Sequence, residues 1–225
     1  MTDEIIRVTG LQRWFRMGRE VVKALDGVDL SIKRGEFVAL TGPSGSGKST
    51  LLYLLGGLDR PTAGSIVVNN ANLGDLDEHA LAEFRRTTVG FVFQQFNLVT
   101  TMTARQNVEF PMVFARVPGP KRAARALKLL KDVGLGNRAG HKPTELSGGQ
   151  QQRVAIARSL VNNPQIILAD EPTGNLDSKV GAEIMVLFKQ LHAQGRTIVL
   201  VSHDPGVIEQ VPQVFKMRDG LIVDG

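Results

Sequence analysis

Three short runs of apolar residues dominate the hydrophobic pattern of this chain. Phe37–Thr41, residues 166–169 and residues 197–202 are almost continuously apolar and rich in β-branched side chains, which predicts strands covered on both faces. Polar or glycine-rich residues follow each run. Because ligands of open α/β sheets bind at the carboxyl ends of the strands, the segments after these strands are expected to meet at one edge.

The rest of the pattern predicts helices between these strands and antiparallel strands towards both ends of the chain. Asp177 or Ser178 is expected to cap the longest helix and Gly195 to end it. Apolar residues at helical spacing predict helices at residues 51–55, 123–133, 150–161 and 178–194. Further strands are predicted at residues 28–32, 65–68 and 89–93, and a hairpin at residues 214–223.

Composition narrows the functional classes. The 225 residues include no cysteine, which excludes disulfides, thiolate catalysis and cysteine-based zinc sites. No apolar run approaches the ~18 residues of a membrane helix, and residues 1–10 have no secretory h-region, so a cytoplasmic protein is expected. The net charge is +5, and the densest basic stretch, residues 121–131, is interpreted as a solvated helix face. Aromatic residues amount to only 5 %, so a nucleic-acid partner is not expected.

A glycine-rich loop connects the first apolar strand to the helix that follows it. Its sequence, Gly42-Pro43-Ser44-Gly45-Ser46-Gly47-Lys48-Ser49-Thr50, has the spacing of a phosphate-binding loop in the required strand–loop–helix setting. The glycines allow consecutive backbone N–H groups to point at one anion, and the helix start adds its positive end. Lys48 is predicted to bind the β- and γ-phosphates of ATP and Ser49 to bind Mg²⁺, with the remaining loop residues contacting ATP. A dinucleotide fingerprint is excluded, because Thr50 occupies its third glycine position.

Two carboxylates follow the aliphatic run at residues 166–169. Asp170 is predicted to orient Mg²⁺ through a water molecule, and Glu171 to polarise the attacking water, as phosphate-loop enzymes require. Adjacent strand residues point to opposite faces, so the two acids need not share a role. A lone acid here would indicate only a solvated strand end. Two acids in a chain with a phosphate loop favour catalysis.

A second helix start suited to anions lies far along the chain from the phosphate loop. Ser147, Gly148, Gly149 and Gln150 open the helix predicted at residues 150–161, with Ser147 as a plausible N-cap and glycines that leave backbone N–H groups bare. One nucleotide needs a single nest behind its phosphates. The second nest therefore suggests that the γ-phosphate is clamped from another direction.

Together with residues 42–50 and the strand ending in Asp170 and Glu171, this segment resembles the ATPase subunits of ABC transporters. The resemblance covers essentially the whole chain. It implies one α/β domain, residues 1–225, with a P-loop NTPase (RecA-like) core, a mostly parallel sheet, an N-terminal antiparallel β subdomain and an inserted α-helical subdomain. The core and β subdomain would comprise residues 1–95 and 163–225, and the helical subdomain residues 96–162.

The resemblance implies that the active site is shared between two copies. Ser147, Gly149 and Gln150 match the signature motif, which with Gly148 contacts the ATP held by the other subunit of a head-to-tail dimer. Asp177 matches the D-loop at the dimer seam. A second copy of the chain is therefore an expected partner.

The resemblance also implies residues that act on the chain's own ATP. Gln94, favoured over Gln95 by its position at a strand end, matches the glutamine that reaches Mg²⁺ and the attacking water. His203 matches the switch histidine that holds the γ-phosphate. Phe15, with Trp14 as the adjacent alternative, matches the aromatic residue that stacks on adenine. The remaining histidines are expected at the surface: His79, His141 and His192.

A narrower resemblance, carried by residues 57–64, 90–98 and 169–177, is to the macrolide-efflux and lipoprotein-release branch. Its ATPases pair with permeases that work by mechanical transmission across the envelope. The chain is thus expected to power a transmembrane permease and to lie on the inner face of the membrane through it, with a groove for a permease helix at residues 96–102. Two alternatives stay open: a soluble ABC ATPase acting on nucleic acid or the ribosome, and a module that uses ATP only as a dimerisation switch.

Overall fold

The computed structural model describes residues 3–18 and 20–223, which form two β-sheets with helices packed around them. The strands are β1 (Glu4–Met17), β2 (Glu20–Lys33), β3 (Phe37–Thr41), β4 (Ala63–Val68), β5 (Ala71–Asn72), β6 (Val89–Val92), β7 (Ile166–Asp170), β8 (Thr197–Val201), β9 (Gln213–Arg218) and β10 (Leu221–Val223). The helices are α1 (Lys48–Leu55), α2 (Glu78–Thr87), α3 (Ala104–Phe114), α4 (Gly119–Asp132), α5 (Gly148–Leu160), α6 (Ser178–Ala193) and α7 (Pro205–Ile208). Single turns of 3-10 helix lie at Leu73–Asp75, Gly136–Arg138 and Pro143–Glu145.

The larger sheet has the order β10-β9-β3-β8-β7-β6 and is parallel except for β10, the hairpin partner of β9. Alternate residues of β3 enter two different cores: Phe37 and Ala39 face one, Val38 and Leu40 the other. A parallel sheet buried on both faces explains the continuous apolar runs of the sequence. The three strands predicted from those runs are confirmed, with β7 extending to Asp170 and β8 ending at Val201.

The smaller, antiparallel sheet has the order β2-β1-β4-β5 and packs against one face of the larger sheet through a shared core. Its two longest strands, β1 and β2, pair along their whole length, with register shifts between Val8 and Leu11 and between Arg13 and Trp14. Such irregularities displace the alternation of side chains between the two faces. The sequence pattern accordingly predicted only residues 28–32 of this pair.

Helices α3, α4, α5 and α6 enclose the core on the other face of the larger sheet. Helices α3–α5 come between β6 and β7 in the chain. The division of the chain into a core and a helical subdomain of residues 96–162 stays a prediction. Helix α5 lies so close to α6 that a Cβ atom on Gly149 would overlap the Cγ1 atom of Val180. Glycine is therefore the residue that this helix contact accommodates.

His192 occupies a different environment from the surface position predicted for it. It is half-buried, its Nε2–H donates to the carbonyl oxygen of Gly35 at 2.8 Å, and its ring centroid lies 5.6 Å from that of Phe37. The expectation was wrong because the contact joins residues 157 positions apart in the chain, which the local sequence does not reveal. Within the described residues, no helix combines the length and apolar character needed to cross a membrane.

Candidate active site

The phosphate loop follows β3 and leads into α1 through Gly47, whose φ of 97° is left-handed. A Cβ atom at Gly47 would overlap the carbonyl oxygen of Ala24, so both conformation and space require glycine. Lys48 is only 8 % exposed, and its Nζ donates to the carbonyl oxygens of Gly42 and Pro43, both at 2.8 Å. The ammonium group thus lies against the backbone of the phosphate loop, where the β- and γ-phosphates are predicted to bind.

A cavity of about 660 Å³ opens above this loop. It brings together most of the residues predicted to bind ATP with two of the predicted catalytic side chains. Its lining comprises Val22, Lys23, Ala24, Gly42, Pro43, Ser44, Gly45, Gly47, Lys48, Ser49, Thr50, Glu171 and His203. Ser46 is 2 % exposed and does not line the cavity, unlike the other loop residues from Gly42 to Thr50.

The carboxyl end of β7 brings Asp170 to the start of α1. The Ser49 hydroxyl lies 2.9 Å from Asp170 Oδ1, and the Tyr53 hydroxyl lies 2.7 Å from Asp170 Oδ2. Burial, together with the hydrogen bond to Asp170, raises the pKa of Tyr53 to about 12. Ser49 and Asp170, each predicted to serve Mg²⁺, are thus in direct contact, whereas a role for Tyr53 was not predicted.

Glu171 has left the strand, so the predicted alternation between strand faces does not apply to it. Its φ of 46° lies in the left-handed region, and its backbone N–H donates to the carbonyl oxygen of Val201 at 3.1 Å. The turn brings Glu171 Oε1 within 2.8 Å of His203 Nδ1. An ionised carboxylate can only accept, so Nδ1 carries the proton in this bond. The Glu171 side chain is 18 % exposed and that of His203 69 %.

The oxygen atoms of Ser49 and Asp170 fit a magnesium ion that binds together with a nucleotide. Among the described residues, no cluster of three or more His, Cys, Asp or Glu side chains could hold a metal by itself. Mg²⁺ is usually bound by one or two carboxylates, water and substrate phosphates rather than by a complete protein cage. One hydroxyl and one carboxylate beside a phosphate loop match that requirement.

Gln94 does not line the phosphate cavity, but its Nε2 and Glu171 Oε2 lie 2.8 and 3.3 Å from the position that a Cβ atom at Gly174 would take. Its backbone carbonyl accepts from Asn175 Nδ2 at 3.0 Å, and its Nε2 lies 3.5 Å from Asn175 Oδ1. Gln95 is exposed. The structure therefore joins Gln94 to the segment before α6 through Asn175, a contact that the sequence did not indicate.

Two adjacent aromatic residues on β1 pair across the sheet with residues of β2 that line the cavity. Phe15 pairs with Val22 and Trp14 with Lys23, and both partners line the cavity. Phe15 is 37 % exposed, with the Arg13 guanidinium 4.4 Å from its ring centroid. Trp14 is half-buried, and its ring lies 5.0 Å from the Lys23 ammonium. The choice of Phe15 as the adenine-stacking residue stays a prediction.

The predicted cross-subunit residues form the starts of α5 and α6. Ser147 Oγ accepts from the Gln150 backbone N–H at 3.3 Å, while Gln150 Oε1 accepts from the Ser147 N–H at 3.1 Å. Asp177 caps α6 by accepting from the Val180 N–H at 3.0 Å. Within the described residues, the phosphate cavity of the same chain is lined by none of the predicted set Ser147, Gly148, Gly149, Gln150 and Asp177.

An apolar groove of about 530 Å³ lies between α2, β6, α3 and the end of α5. Phe114, which is 62 % exposed, lines it together with Phe91 and Phe93. Residues 96–102 were predicted to form this groove, but only Asn97 of that segment lines it. Leu98 of the same segment packs against the core, so whether residues 96–102 receive a permease helix stays a prediction.

Comparison with known proteins gives this architecture a family. The model of a protein family described as ABC transporter matches residues 25–174. The chain belongs to the ABC transporter family. As a member it is an ATP-binding ATPase, as predicted from the residues of its loop and its two helix starts.

Its relatives include both fused and separate ATP-binding proteins. A macrolide export ATP-binding/permease protein MacB of Hyphomonas neptunium is 50 % identical over 99 % of this chain, which spans 35 % of that protein's length. The ABC transporter ATP-binding protein MJ0796 of Methanocaldococcus jannaschii is 50 % identical over 96 % of this chain and 94 % of its own length. The predicted resemblance to the macrolide-efflux branch is confirmed.

Solved structures give the same picture of the fold. The dimeric structure of a post-hydrolysis state of the ATP-binding cassette MJ0796, bound to ADP and Pi, has a TM-score of 0.91 and 48 % identity. Each chain is covered to 97 %. The structure of cbiO1 from Clostridium perfringens has a TM-score of 0.86 and 32 % identity. The predicted fold class, a P-loop NTPase cassette, is confirmed.

Proposed function

We propose that this ABC cassette hydrolyses Mg²⁺-ATP as one half of a two-copy ATP sandwich and thereby powers an export-type membrane permease. The observation that carries the proposal is the separation of its two anion-binding parts. The phosphate loop and the Glu171–His203 pair share one cavity, whereas Ser147 lies at a helix start outside that cavity. A second copy supplies what each chain lacks, in keeping with the dimeric cassette of the relative MJ0796.

The residues of one chain divide the work of phosphoryl transfer between binding and proton transfer. Lys48 exchanges its carbonyl partners for the β- and γ-phosphate oxygens, and the loop N–H groups hold the same phosphates. Glu171 accepts a proton from the water that attacks the γ-phosphorus, so that the bond to the ADP oxygen breaks and phosphate leaves. His203 orients Glu171 through Nδ1–H, and its Nε2 can donate to the γ-phosphate only when that nitrogen also carries a proton.

Ser49, Asp170 and Gln94 are the residues that would hold Mg²⁺. The bound ion supplies positive charge that stabilises the phosphate oxygens during transfer. Ser49 would meet it directly and Asp170 through water, while Gln94 would offer its side-chain oxygen, because the atom that faces Asn175 is its Nε2.

The apolar groove is the proposed docking site for a cytoplasmic helix of the permease, which would keep the cassette at the inner face of the membrane. Phe93, on the groove wall, directly precedes Gln94. The half-buried Arg158 guanidinium donates to the backbone carbonyls of Phe96 and Asn97, and burial lowers its pKa. These bonds connect the segment after Gln94 to α5. We assign residues 96–162, which include α5, to a helical subdomain.

Replacing the proposed base tests the ATPase half of this function. Glu171→Gln keeps a similar shape but cannot accept a proton, so turnover should fall about 10²- to 10⁴-fold with ATP affinity retained. Light scattering should detect an ATP-dependent dimer that persists. Glu78→Gln removes one carboxylate charge from an exposed ion pair with Arg60 and serves as the control. Normal turnover in Glu171→Gln would show that Glu171 is not the general base.

A substitution at the start of α5 tests the shared site. Ser147 is exposed, so Ser147→Arg should leave ATP binding by the monomer intact while blocking dimer closure. The control is Thr103→Arg, because Thr103 forms the same kind of capping box at the start of α3 with Gln106. Both variants lose an N-cap worth about 1 kcal/mol. Loss of monomeric ATP binding in Ser147→Arg alone would contradict the shared site.

Docking to a permease is tested on the groove. Phe114→Asp places a charge on the groove wall, and co-purification with a co-expressed export-type permease should be lost while basal ATPase activity remains. Val186→Asp alters another exposed apolar residue, on α6, as the matched control. Equal co-purification of both variants would place the permease elsewhere. Salt-sensitive DNA-stimulated turnover would favour a nucleic-acid role instead.

A further inference from the structure

Tyr53 makes a contact with the active site that the proposed mechanism leaves unused. Its hydroxyl lies 2.7 Å from Asp170 Oδ2, while the Ser49 hydroxyl lies 2.9 Å from the other oxygen, Oδ1. Ser49 and Tyr53 are four residues apart on α1, so they occupy the same helix face. The carboxylate of Asp170 is therefore held at both of its oxygens by one helix.

The direction of these bonds follows from chemistry. An ionised carboxylate has no proton to donate, so both hydroxyls donate to Asp170. Ser49 consequently keeps its oxygen lone pairs for a cation, and each Asp170 oxygen retains a free acceptor site for metal-bound water. The contact with Tyr53 thus leaves the magnesium-binding capacity of Ser49 and Asp170 intact.

Two attachments restrict the carboxylate more than one does. The terminal torsion of an aspartate is broad, so a single bond from Ser49 would allow the other oxygen to swing about the Cβ–Cγ bond. The Tyr53 hydroxyl removes this freedom. Its own ring is half-buried and lies 6.4 Å from the ring of Phe93, which stacks on Phe91 at 5.5 Å. The donor therefore rests on an aromatic support rather than on a mobile side chain.

We propose that Tyr53 is a positioning residue for magnesium: its hydroxyl fixes the Asp170 carboxylate in the orientation that receives the nucleotide-bound ion. The inference rests on the proposed function, because it assumes that Ser49 and Asp170 serve Mg²⁺-ATP. The Tyr53 ring also joins Asp170 to Phe93, the residue before Gln94. Two groups predicted to act on the same ion thereby share one aromatic support.

The experiment separates a role towards the metal from a role in the fold. In Tyr53→Phe the ring remains and only the hydroxyl is lost. Affinity for ADP is measured by calorimetry with Mg²⁺ and with EDTA, and Mn²⁺ binding to the ADP-loaded protein by electron paramagnetic resonance. Loss of an outer-shell partner should weaken metal-dependent binding about tenfold, while metal-free ADP affinity stays at the wild-type value. Saturating Mg²⁺ should restore most of the turnover.

Thr197→Val is the matched control. It removes another buried hydroxyl, which accepts from the Gly35 N–H at 2.9 Å, at the opposite end of β8 from the catalytic edge. This variant should lose stability without changing the effect of Mg²⁺ on ADP affinity. An unchanged Mg²⁺ effect in Tyr53→Phe, or an equal loss of ADP affinity with and without Mg²⁺, would overturn the role of Tyr53. Absence of any Mg²⁺ effect in the wild type would instead contradict the proposed function itself.

Discussion

Alanine in place of Gly47 should disable the phosphate loop, and the structure sets the size of the effect. The left-handed backbone at Gly47 costs a residue with a Cβ atom about 1–2 kcal/mol. The new methyl group would overlap the carbonyl oxygen of Ala24 and lie 2.8 Å from Leu25 Cδ2, against the ~3.5–4.0 Å of a relaxed carbon contact. Overpacking of this kind adds about 1–3 kcal/mol.

The total for Gly47→Ala is therefore about 2–5 kcal/mol, from adding the strain and overpacking ranges. The chain can retain its loop and lose that much unfolding free energy, or move the loop and weaken nucleotide binding at least about tenfold. Urea denaturation measures the first outcome and titration with a fluorescent ATP analogue the second. Both measurements are needed, because either route relieves the same overlap.

Gly195→Ala provides the matched comparison for Gly47→Ala. Gly195 has a φ of 85°, but a Cβ atom there would meet nothing within 4 Å. Its substitution should cost only the conformational strain of about 1–2 kcal/mol and leave ATP affinity unchanged. If Gly47→Ala matched Gly195→Ala in unfolding free energy and the wild type in ATP affinity, the packing argument at Gly47 would be refuted.

Two further predictions concern Tyr53 and Asn107. Tyr53 is the only tyrosine of the chain, and burial together with its bond to Asp170 raises its pKa to about 12. In the unfolded protein the pKa of tyrosine is about 10. Near-ultraviolet titration should therefore show that Tyr53 ionises at a higher pH in native than in unfolded protein. Because the folded pKa is raised, the stability advantage of wild type over Tyr53→Phe should be present below pH ~10 and decline as pH rises towards 12; equal native and unfolded titrations would contradict this. Asn107 is 1 % exposed; its Oδ1 accepts from the Val99 N–H, and its Nδ2 donates to the carbonyl oxygens of Val99, Met102 and Thr103. Asn107→Leu should therefore lower the free energy of unfolding by about 2 kcal/mol in urea denaturation, and an unchanged midpoint would show that water replaces these bonds.

The elements that the sequence predicted best are those with the simplest environment. Strands β3, β7 and β8 are apolar at nearly every position because both of their faces are covered. Strand β1 escaped prediction because its register shifts disrupt the two-residue period. Helix α3 escaped it as well, since Pro111 interrupts its helical pattern, although the Thr103–Gln106 capping box marks its start.

The same distinction holds at the candidate site. The phosphate loop and the two acids at the end of β7, Asp170 and Glu171, could be predicted because the residues that indicate their chemistry are contiguous in the sequence. The bond from Tyr53 to Asp170 joins residues far apart in the chain, and its one local signal is the four-residue spacing from Ser49. The contact between Asn175 and Gln94 has no such signal, because both residues lie in connecting segments whose approach depends on the packed sheet.

The closeness of α5 and α6 changes what a mutation in the signature segment can reveal. An added methyl group at Gly149 would overlap Val180 Cγ1 of the same chain, so alanine there would disturb the packing of α5 on α6 even without a nucleotide or a second copy. Reduced turnover in that variant would be ambiguous evidence about catalysis. At Gly148 an added Cβ atom would come no nearer than 3.4 Å to Leu176, which makes this neighbouring glycine the cleaner reporter of contact between subunits.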